Sequence, residues 1–255
     1  MTTLAVIPAR LGATRLPRKP LRLLAGLPLV VRVWERVSAL GIAERCVIAT
    51  DHSAVADAAR VAGAECVLTD PDHPSGTDRV AEVAALPAYR DFDSILNVQG
   101  DEPFVSAEAL RAAVELVESA RFPLGTAAVR ASTDVLRTPD VVKVVRADDG
   151  RAMYFSRAPI PYLRDEADSG FLPELVLQHL GIYVYTREAL ARWVALPPHP
   201  LERVERLEQL RPLSAGIPMG VARLDEPVSH VRGIDTEEDL EQANERWPHL
   251  TAGWY

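Results

Sequence analysis

Short apolar runs alternate with longer amphipathic segments through the first half of the chain. The apolar runs predict buried strands at residues 4–7, 45–50, 65–69 and 94–98. Apolar residues at helical spacing predict helices over residues 29–40, 51–62, 75–86 and 107–119. Because strands that alternate with helices are typical of βαβ units, the sequence predicts an α/β fold with a largely parallel sheet.

The second half of the chain has a different pattern. Strands are predicted at residues 125–130, 141–146, 152–156, 179–185 and 217–224, and helices over 201–211 and 236–246. A D-D-G turn at residues 148–150 joins two of the strands, so we expect antiparallel pairing there. A solvated, salt-bridged helix face is predicted for Glu202, Arg203, Glu205, Arg206, Glu208 and Arg211.

The composition is that of a globular protein, with 48% hydrophobic and 25% charged residues among 255. Acidic residues outnumber Lys and Arg by 36 to 28, and the net charge of −8 argues against nucleic acid or an anionic membrane as the main partner. Cys46 and Cys66 lie in apolar runs, as reduced thiols do. No apolar run approaches the roughly 18 residues that a membrane span requires, so we expect a cytoplasmic protein without membrane insertion.

The connection from Pro8 to Pro20 follows the first predicted strand and is rich in cations. These cations are Arg10, Arg15, Arg18 and Lys19. Gly12 and short side chains let backbone amides approach an anion. Two interpretations are open, a cradle for a nucleoside triphosphate and a solvated basic loop. The length of the connection and its position after the first strand favour the cradle.

Two acidic segments are candidates for a metal site. Asp101 lies in Q-G-D-E-P at the carboxyl end of a predicted strand, where open α/β sheets bind ligands. It suits either Mg²⁺ bound against phosphate oxygens or a cap on the turn before the next helix. Asp235, in G-I-D-T-E-E-D-L, suits first of all a helix N-cap, as does Thr236. Asp235 completes a metal site only if the fold brings it beside Asp101.

Other residues carry weaker signals. Ser75, Gly76 and Arg79 lie at a predicted helix N-terminus that suits a ribose or a base edge. Side chains suited to a sugar pocket are Arg157, His179, Tyr183 and Tyr185. A His or Tyr on a strand is more often a core residue, and both interpretations stay open. Lys143 is one of only two lysines, and its role is left open.

The segment I-P-A-R-L-G-A-T-R-L-P-R-K-P-L resembles a loop of the sugar nucleotidyltransferases. Further runs narrow the resemblance to the family of 3-deoxy-manno-octulosonate (Kdo) cytidylyltransferases. They are A-T-D-H, H-P-S-G-T-D-R, N-V-Q-G-D-E-P, V-V-K-V-V, Y-F-S-R-A-P-I-P, H-L-G-I-Y-V-Y, L-E-Q-L-R and G-I-D-T-E-E-D-L. Each run alone is weak, but in this order and spacing, from residue 4 to residue 240, they are highly specific.

The resemblance implies a single Rossmann-like nucleotide-diphospho-sugar transferase domain over residues 1–255, with a mixed central sheet and a small antiparallel dimerisation portion. Its nucleotide-binding part is expected over residues 1–125, its sugar-binding and dimerisation part over 126–220, and a C-terminal metal-binding and helix segment over 221–255. The implied reaction is CTP + Kdo → CMP-Kdo + pyrophosphate, a step of lipopolysaccharide biosynthesis. In it the anomeric hydroxyl attacks the α-phosphate with the help of Mg²⁺, and the implied assembly is a homodimer.

The resemblance also assigns roles to individual residues. The catalytic positions are Lys19, Asp101 and Asp235, of which the two aspartates bind the metal. The nucleotide-binding positions are Arg10, Thr14, Arg15, Lys19, Ser75, Gly76 and Arg79. The sugar-binding positions are Gln99, Arg157, His179, Tyr185 and Glu208. These residue types suit phosphoryl transfer, which depends on positioning and electrostatic stabilisation.

The chain departs from the family's usual loop, S-T-R-L-P-G-K-P, at two positions. Ala13 replaces the Ser and removes a phosphate-binding hydroxyl, and Arg18 replaces the Gly, which either changes the backbone angles or adds a cation. The alternatives are a CTP-dependent enzyme for an amino analogue of Kdo or a sialic-acid-like sugar, a GT-A glycosyltransferase, and a non-catalytic relative. The run Asp101-Glu102-Pro103 in place of D-x-D disfavours the glycosyltransferase, and the retained Asp101 and Asp235 disfavour the non-catalytic relative.

Overall fold

The structure, a computed structural model, describes residues 1–12, 15–225 and 233–252, and of residue 250 the backbone only. The strands are β1 (Thr3–Ala9), β2 (Leu23–Leu24), β3 (Leu27–Pro28), β4 (Arg45–Thr50), β5 (Glu65–Leu68), β6 (Ser94–Asn97), β7 (Leu124–Arg130), β8 (Lys143–Arg146), β9 (Ala152–Ser156), β10 (Leu177–Thr186) and β11 (Met219–Leu224). The α-helices are α1 (Leu29–Ala39), α2 (Ser53–Val61), α3 (Gly76–Ala85), α4 (Ala107–Glu118), α5 (Leu172–Leu175), α6 (Arg187–Ala195), α7 (Pro200–Glu205), α8 (Leu210–Ser214) and α9 (Glu237–Leu250).

The described residues divide by their contacts into two compact units. Unit 1 holds those up to residue 105 and those from residue 233 onward, and unit 2 holds residues 106–225. The expected boundaries of the three parts, near residues 125 and 220, stay a prediction.

Unit 1 contains a parallel sheet in the order β6-β1-β4-β5. All residues of β1 and β6 are buried. The chain passes from β1 outward to β4 and β5 through α1 and α2, and then returns through α3 to β6 on the other side of β1. The strand order therefore reverses between β1 and β6, which creates the kind of switch point where open α/β sheets bind ligands.

The turn after β6 approaches the end of β1 very closely. A Cβ on Gly100 would lie 2.8 Å from the carbonyl oxygen of Pro8, a distance that real Cβ atoms essentially never show. Glycine is therefore required at residue 100 for the two turns to meet.

Unit 2 contains a mixed sheet. β7 pairs antiparallel with β10 and parallel with β11. β8 pairs antiparallel with both β10 and β9. α4 packs against β7, β10 and β11, and α6 buries Trp193 against the aromatic residues of β10.

The α/β class, with a mixed sheet and an antiparallel portion, is confirmed, and the predicted strands are found. The helix predicted over residues 201–211 is wrong as one element, because α7 ends at Glu205. Arg206 follows with a left-handed backbone (φ 55°, ψ 46°) before α8 begins. α6 was not predicted. In the described part of the chain, no helix combines the length and apolarity that crossing a membrane requires.

The prediction of a solvated helix face is also wrong for Glu202, Glu205 and Arg211. Glu202 and Arg211 form an ion pair of 2.5 Å with side chains only 12% and 8% exposed. Glu205 accepts hydrogen bonds from Ser156 Oγ (2.6 Å) and from the backbone N–H of Arg157 (3.0 Å). Both glutamates therefore bind partners within unit 2 rather than facing only water.

Candidate active site

One ammonium group joins the two candidate metal-binding aspartates of unit 1. Lys19 Nζ donates hydrogen bonds to Asp101 Oδ2 (2.5 Å) and Asp235 Oδ1 (2.7 Å), and Arg15 Nη2 donates to Asp235 Oδ2 (2.8 Å). The Lys19 side chain is 13% exposed, against 30% for Asp101 and 45% for Asp235. Both carboxylates therefore contact the same cation at the edge of the protein, where a ligand has access.

Buried leucine and isoleucine side chains hold these charged residues in place. Leu16 and Ile234 are fully buried in one apolar cluster, which also contains Phe104 of the turn after β6. Leu16 directly follows Arg15, and Ile234 directly precedes Asp235, so the cluster fixes the backbone beside both charges. Burial of such side chains is worth about 2 kcal/mol each.

The segment that carries Asp235 is hydrogen-bonded to the turn that carries Asp101. The N–H of Ile234 donates to the carbonyl oxygen of Asp101 (2.9 Å). The N–H of Gly233 donates to the carboxylate of Glu102. Two adjacent backbone donors therefore align the two aspartates, and Glu102 is a contributor that the sequence analysis did not single out.

Thr236, rather than Asp235, is the N-cap of α9. Its hydroxyl accepts from the N–H of Asp239, and Asp239 accepts in return from the N–H groups of Thr236 (2.8 Å) and Asp235 (3.0 Å). This capping box leaves the Asp235 carboxylate facing Lys19 and Arg15. Asp235 is therefore not the N-cap, and its carboxylate shares Lys19 with that of Asp101, while its role in metal binding stays a prediction.

The charged residues around Lys19 shift the pKa values of Lys19 itself and of Glu102. Burial alone lowers the pKa of Lys19, but the charges of Asp101 and Asp235 and their hydrogen bonds outweigh it, and the pKa rises above 10.5. Burial raises the pKa of Glu102 well above 4.5, and the negative charges of Asp101 and Asp235 raise it further. Lys19 is thus kept charged by the two aspartates, and the raised pKa of Glu102 reflects its burial beside their negative charges.

The donor set fits a magnesium ion that is bound together with a substrate phosphate. Mg²⁺ is usually bound by one or two carboxylates plus phosphate oxygens and water. Asp101 and Asp235 supply two such carboxylates. No group of three or more His, Cys, Asp and Glu side chains within the described ranges is arranged to hold a metal by itself.

The loop after β1 carries further cations besides Arg15 and Lys19. Arg10 and Arg18 are exposed, and the N–H of Leu11 donates to Asp51 Oδ1 (3.2 Å), which anchors the start of the loop to the end of β4. Arg18 has a left-handed backbone (φ 55°, ψ 32°). The position at which the family loop has Gly thus keeps backbone angles that favour glycine. Ala13 and Thr14 lie outside the described residues.

Residues predicted for the cytidine region lie at the start of α3. Ser75 is the N-cap, and its hydroxyl accepts from the N–H of Asp78. A Cβ on Gly76 would lie 3.5 Å from Pro8 Cγ and 3.8 Å from Gln99 Oε1, so the helix begins beside the ends of β1 and β6. Arg79 is 3% exposed and donates to Thr69 Oγ1 and Asp51 Oδ2. Arg79 therefore ties the neighbouring strand ends together.

Three of the predicted sugar-binding residues gather around Tyr183 in unit 2. His179 Nε2 is 2.8 Å from Thr126 Oγ1, and its ring meets that of Tyr183 edge-on at 5.4 Å. Tyr185 stacks with Tyr183 at 6.3 Å and is itself fully buried, as a core residue would be. Burial raises the pKa of Tyr183, with contributions from Tyr185 and Glu208.

The other two sugar-binding candidates lie elsewhere. Gln99 belongs to unit 1, where its amide is 3.4 Å from Asn97 Oδ1. Arg157, just after β9, donates from Nε to the carbonyl oxygen of Glu205 (2.9 Å) and from Nη1 to that of Pro139 (3.1 Å). All five sugar-binding assignments stay predictions.

Comparison with known proteins defines the class of this chain. A family model described as "Cytidylyltransferase" matches residues 4–222, and the chain belongs to the cytidylyltransferase family, which makes it a nucleotidyltransferase. It is 62% identical over 252 residues to a 3-deoxy-manno-octulosonate cytidylyltransferase of Gemmatimonas aurantiaca, covering 99% of this chain and 96% of that protein. It is 46% identical over 240 residues to the enzyme of the same name from Acidobacterium capsulatum, covering 94% of both.

Comparison with a solved structure also supports membership of the cytidylyltransferase family. The fold matches that of a CMP:2-keto-3-deoxy-manno-octonic acid synthetase in complex with CTP, with a TM-score of 0.88 and 33% identity over 98% of this chain and 99% of that one. The family resemblance found in the sequence motifs is therefore confirmed.

Proposed function

We propose that this chain transfers the CMP group of CTP to the anomeric hydroxyl of Kdo and releases pyrophosphate. The observation that carries the proposal is the contact of Lys19 with both Asp101 and Asp235 at the switch point of a parallel sheet. Support for the substrates comes from the relatives, whose names specify the same sugar and nucleotide.

The reaction forms one bond and breaks one. The anomeric oxygen of the sugar bonds to the α-phosphorus of CTP, the bond between the α-phosphorus and its bridging oxygen to the β-phosphate breaks, and the hydroxyl proton is released. Negative charge grows on the departing pyrophosphate. Lys19 and Arg15, with Arg10 near the start of the loop, supply the cations that oppose this charge.

Asp101 and Asp235 are the residues that would hold Mg²⁺. The bound ion would supply charge neutralisation at the phosphate oxygens. Lys19, which stays protonated, keeps the two carboxylates together and limits their mutual repulsion.

For the acidic sugar we assign Arg157 as the residue that binds the carboxylate. An arginine is well suited to this task because its planar guanidinium pairs with carboxylates in a fixed geometry. His179 and Glu208 are assigned to the sugar hydroxyls, and the assignment of Gln99 to the sugar stays a prediction. These contacts would also suit an amino analogue of Kdo, so the experiment must compare the two sugars.

The active form that we propose is a homodimer in the cytoplasm, where CTP is made and used. Six large apolar side chains of unit 2 are exposed. They are Met153 (60%), Tyr162 (81%), Phe171 (67%), Leu175 (51%), Leu201 (39%) and Val204 (81%). Single exposed apolar side chains are common on protein surfaces, so the proposed dimer rests on the family resemblance, and these six side chains are candidates for its interface.

The test is pyrophosphate release by the purified protein with Mg²⁺, measured for CTP, ATP, GTP and UTP against Kdo, its amino analogue and sialic acid. Release with CTP and Kdo, at a rate well above every other pair, is the expected result. Faster release with another acidic sugar would mean that this sugar, and not Kdo, is the substrate. The absence of pyrophosphate release with every pair would overturn the proposal.

A further inference from the structure

Lys143 is a fully buried cation at the start of β8, and the site described so far gives it no role. Its side chain is 0% exposed, and within the described ranges it has no carboxylate at ion-pair distance. Its ammonium donates to three backbone carbonyl oxygens, those of Thr138 (3.1 Å), Val141 (2.7 Å) and Arg157 (2.5 Å). A lysine has three N–H donors, so these three bonds satisfy all of them.

Such a residue is costly to bury. Burial lowers the pKa of Lys143, and the positive charge of Arg157 lowers it further. An apolar side chain of the same length would fill the space without this cost, but it would leave three carbonyl oxygens without a donor. The benefit of the lysine therefore lies in what the three carbonyl groups position.

All three carbonyl groups belong to Arg157 or to a segment that Arg157 contacts. One belongs to Arg157 itself, and the other two belong to the segment 138–141, whose Pro139 carbonyl oxygen accepts from Arg157 Nη1 (3.1 Å). Lys143 thus fixes both the backbone of Arg157 and the segment against which the guanidinium rests. Glu205 completes the support, because it accepts from the Arg157 N–H (3.0 Å) and from Nε (2.9 Å).

These contacts leave one side of the guanidinium for a ligand. Nε and Nη1 bind backbone carbonyl oxygens, whereas Nη2 makes no hydrogen bond to any residue that the structure describes. Arg157 and Lys143 also carry two positive charges close to one carboxylate, that of Glu205. The surplus of positive charge favours an anion at Nη2.

We propose that Lys143 is a positioning residue for Arg157: it holds the guanidinium so that Nη2 meets the carboxylate of the acidic sugar. This inference rests on the proposed function, in which Arg157 binds that carboxylate. It predicts that Lys143 affects the affinity for the sugar and leaves the affinity for CTP unchanged.

The experiment compares Lys143→Met with Val144→Ala and Arg157→Ala. Met has a similar length but neither charge nor donors, while Val144 is the fully buried neighbour on β8 and serves as a control for lost stability alone. KM is measured separately for CTP and for Kdo, at a temperature well below the Tm of every variant. For Lys143→Met and Arg157→Ala we expect the KM for Kdo to rise by about tenfold or more, with the KM for CTP within about twofold of wild type. Val144→Ala should lower Tm and change neither KM.

Three results decide the matter. A selective rise in the KM for Kdo in Arg157→Ala but not in Lys143→Met overturns the role of Lys143 and leaves the proposed function intact. No rise in either variant overturns the assignment of Arg157 as well. If Lys143→Met does not fold, Lys143→Gln replaces it. Its shorter side chain has two donors for three carbonyl oxygens, so we expect a smaller rise in the KM for Kdo, of about threefold, and an unchanged KM overturns the inference.

Discussion

The backbone of Gly233 lies against the carboxylate of Glu102, so that a Cβ on residue 233 would lie 2.6 Å from Glu102 Oε1 and 3.3 Å from the carbonyl oxygen of Asp101. The same carboxylate accepts the N–H of Gly233. Glu102 cannot move away from a new Cβ without losing this bond. The bare glycine therefore allows the segment before Asp235 to dock on the turn of Asp101.

Gly233→Ala should weaken the alignment of the two aspartates. We expect the Mg²⁺ concentration for half-maximal pyrophosphate release to rise by about fivefold or more, since misplaced carboxylates bind the ion less well. Gly170→Ala is the matched control, because a Cβ there meets nothing within 4 Å. Glu102→Ala removes the obstructing carboxylate, so Gly233→Ala should have a smaller effect in that background. Equal Mg²⁺ dependence in Gly233→Ala and wild type would contradict this account.

Asp101→Asn tests the proposed metal site directly. Asn keeps an oxygen for Lys19 Nζ but lacks the negative charge that Mg²⁺ binds, so turnover should fall by at least about 10²-fold at limiting Mg²⁺. Tm should stay close to that of wild type, since the side chain is 30% exposed. Asp57→Asn, on an exposed surface pair, is the control and should retain full activity. Unchanged turnover in Asp101→Asn would remove this residue from the metal site.

Arg18 offers a test of the departure from the family loop. The left-handed backbone at residue 18 destabilises the fold by about 1 kcal/mol when the residue is not glycine. Glycine avoids this strain, although its greater freedom in the unfolded chain offsets part of the gain in stability. Arg18→Gly should therefore have a Tm higher than Arg18→Ala by about 1–3 °C. Both variants lose the same charge, so thermal unfolding without ligand isolates the backbone effect. A lower Tm for Arg18→Gly would contradict the left-handed conformation.

The sequence predicted which residues form the site better than it predicted how they meet. Lys19, Asp101 and Asp235 each stood out by motif, but Lys19 is 82 and 216 residues away from the two aspartates. Their contact depends on the reversal of strand order beside β1 and on the docking of Ile234, which only the fold reveals. Buried Leu16 and Ile234 did leave a signal, since each is an isolated apolar residue inside a polar loop.

Other errors arose where tertiary contacts override local pattern. The charges from Glu202 to Arg211 have helical spacing, yet the chain breaks at Arg206 and turns Arg211 back onto Glu202. Glu205 looked like a surface residue because its partners, Ser156 and Arg157, lie far away in the sequence. A charge pattern that suits a solvated face suits a buried pair equally well, and the sequence alone does not distinguish them.

The Glu202–Arg211 pair gives a pH-dependent contribution to stability. Burial alone raises the pKa of Glu202, but the hydrogen bonds from Arg211 and from the His199 N–H outweigh it and lower the pKa below 4.5. A lowered pKa stabilises the fold above pH 4.5, and this stabilisation is lost as the pH falls through the folded-state value. Glu202→Gln should therefore reduce the free energy of unfolding by about 3 kcal/mol at pH 7, since it removes the negative charge that the largely buried Arg211 contacts.

The difference between wild type and Glu202→Gln should shrink as the pH falls below 4.5 toward the lower folded-state pKa of Glu202, because the unfolded chain takes up a proton at this residue first. Urea unfolding at pH 7 and at pH 3.5 measures it. The exposed pair of Asp57 and Arg60 provides the comparison, because Asp57→Asn should change stability by less than about 0.5 kcal/mol at either pH. A difference for Glu202→Gln that is independent of pH would argue against the buried ion pair.

Val204 tests where the proposed homodimer forms. Its side chain is 81% exposed on α7, in the same unit as five other exposed large apolar side chains. A charge at this position would have to be desolvated on association, so Val204→Glu should weaken the dimer by about tenfold or more. Val61→Glu, at a valine that is 90% exposed in unit 1, is the matched control and should leave association unchanged. Light scattering coupled to gel filtration should give twice the 27.9 kDa chain mass for wild type and Val61→Glu, and a lower mass for Val204→Glu at the same concentration. A monomeric wild type would contradict the proposed dimer, while equal masses for all three proteins would place the interface away from α7.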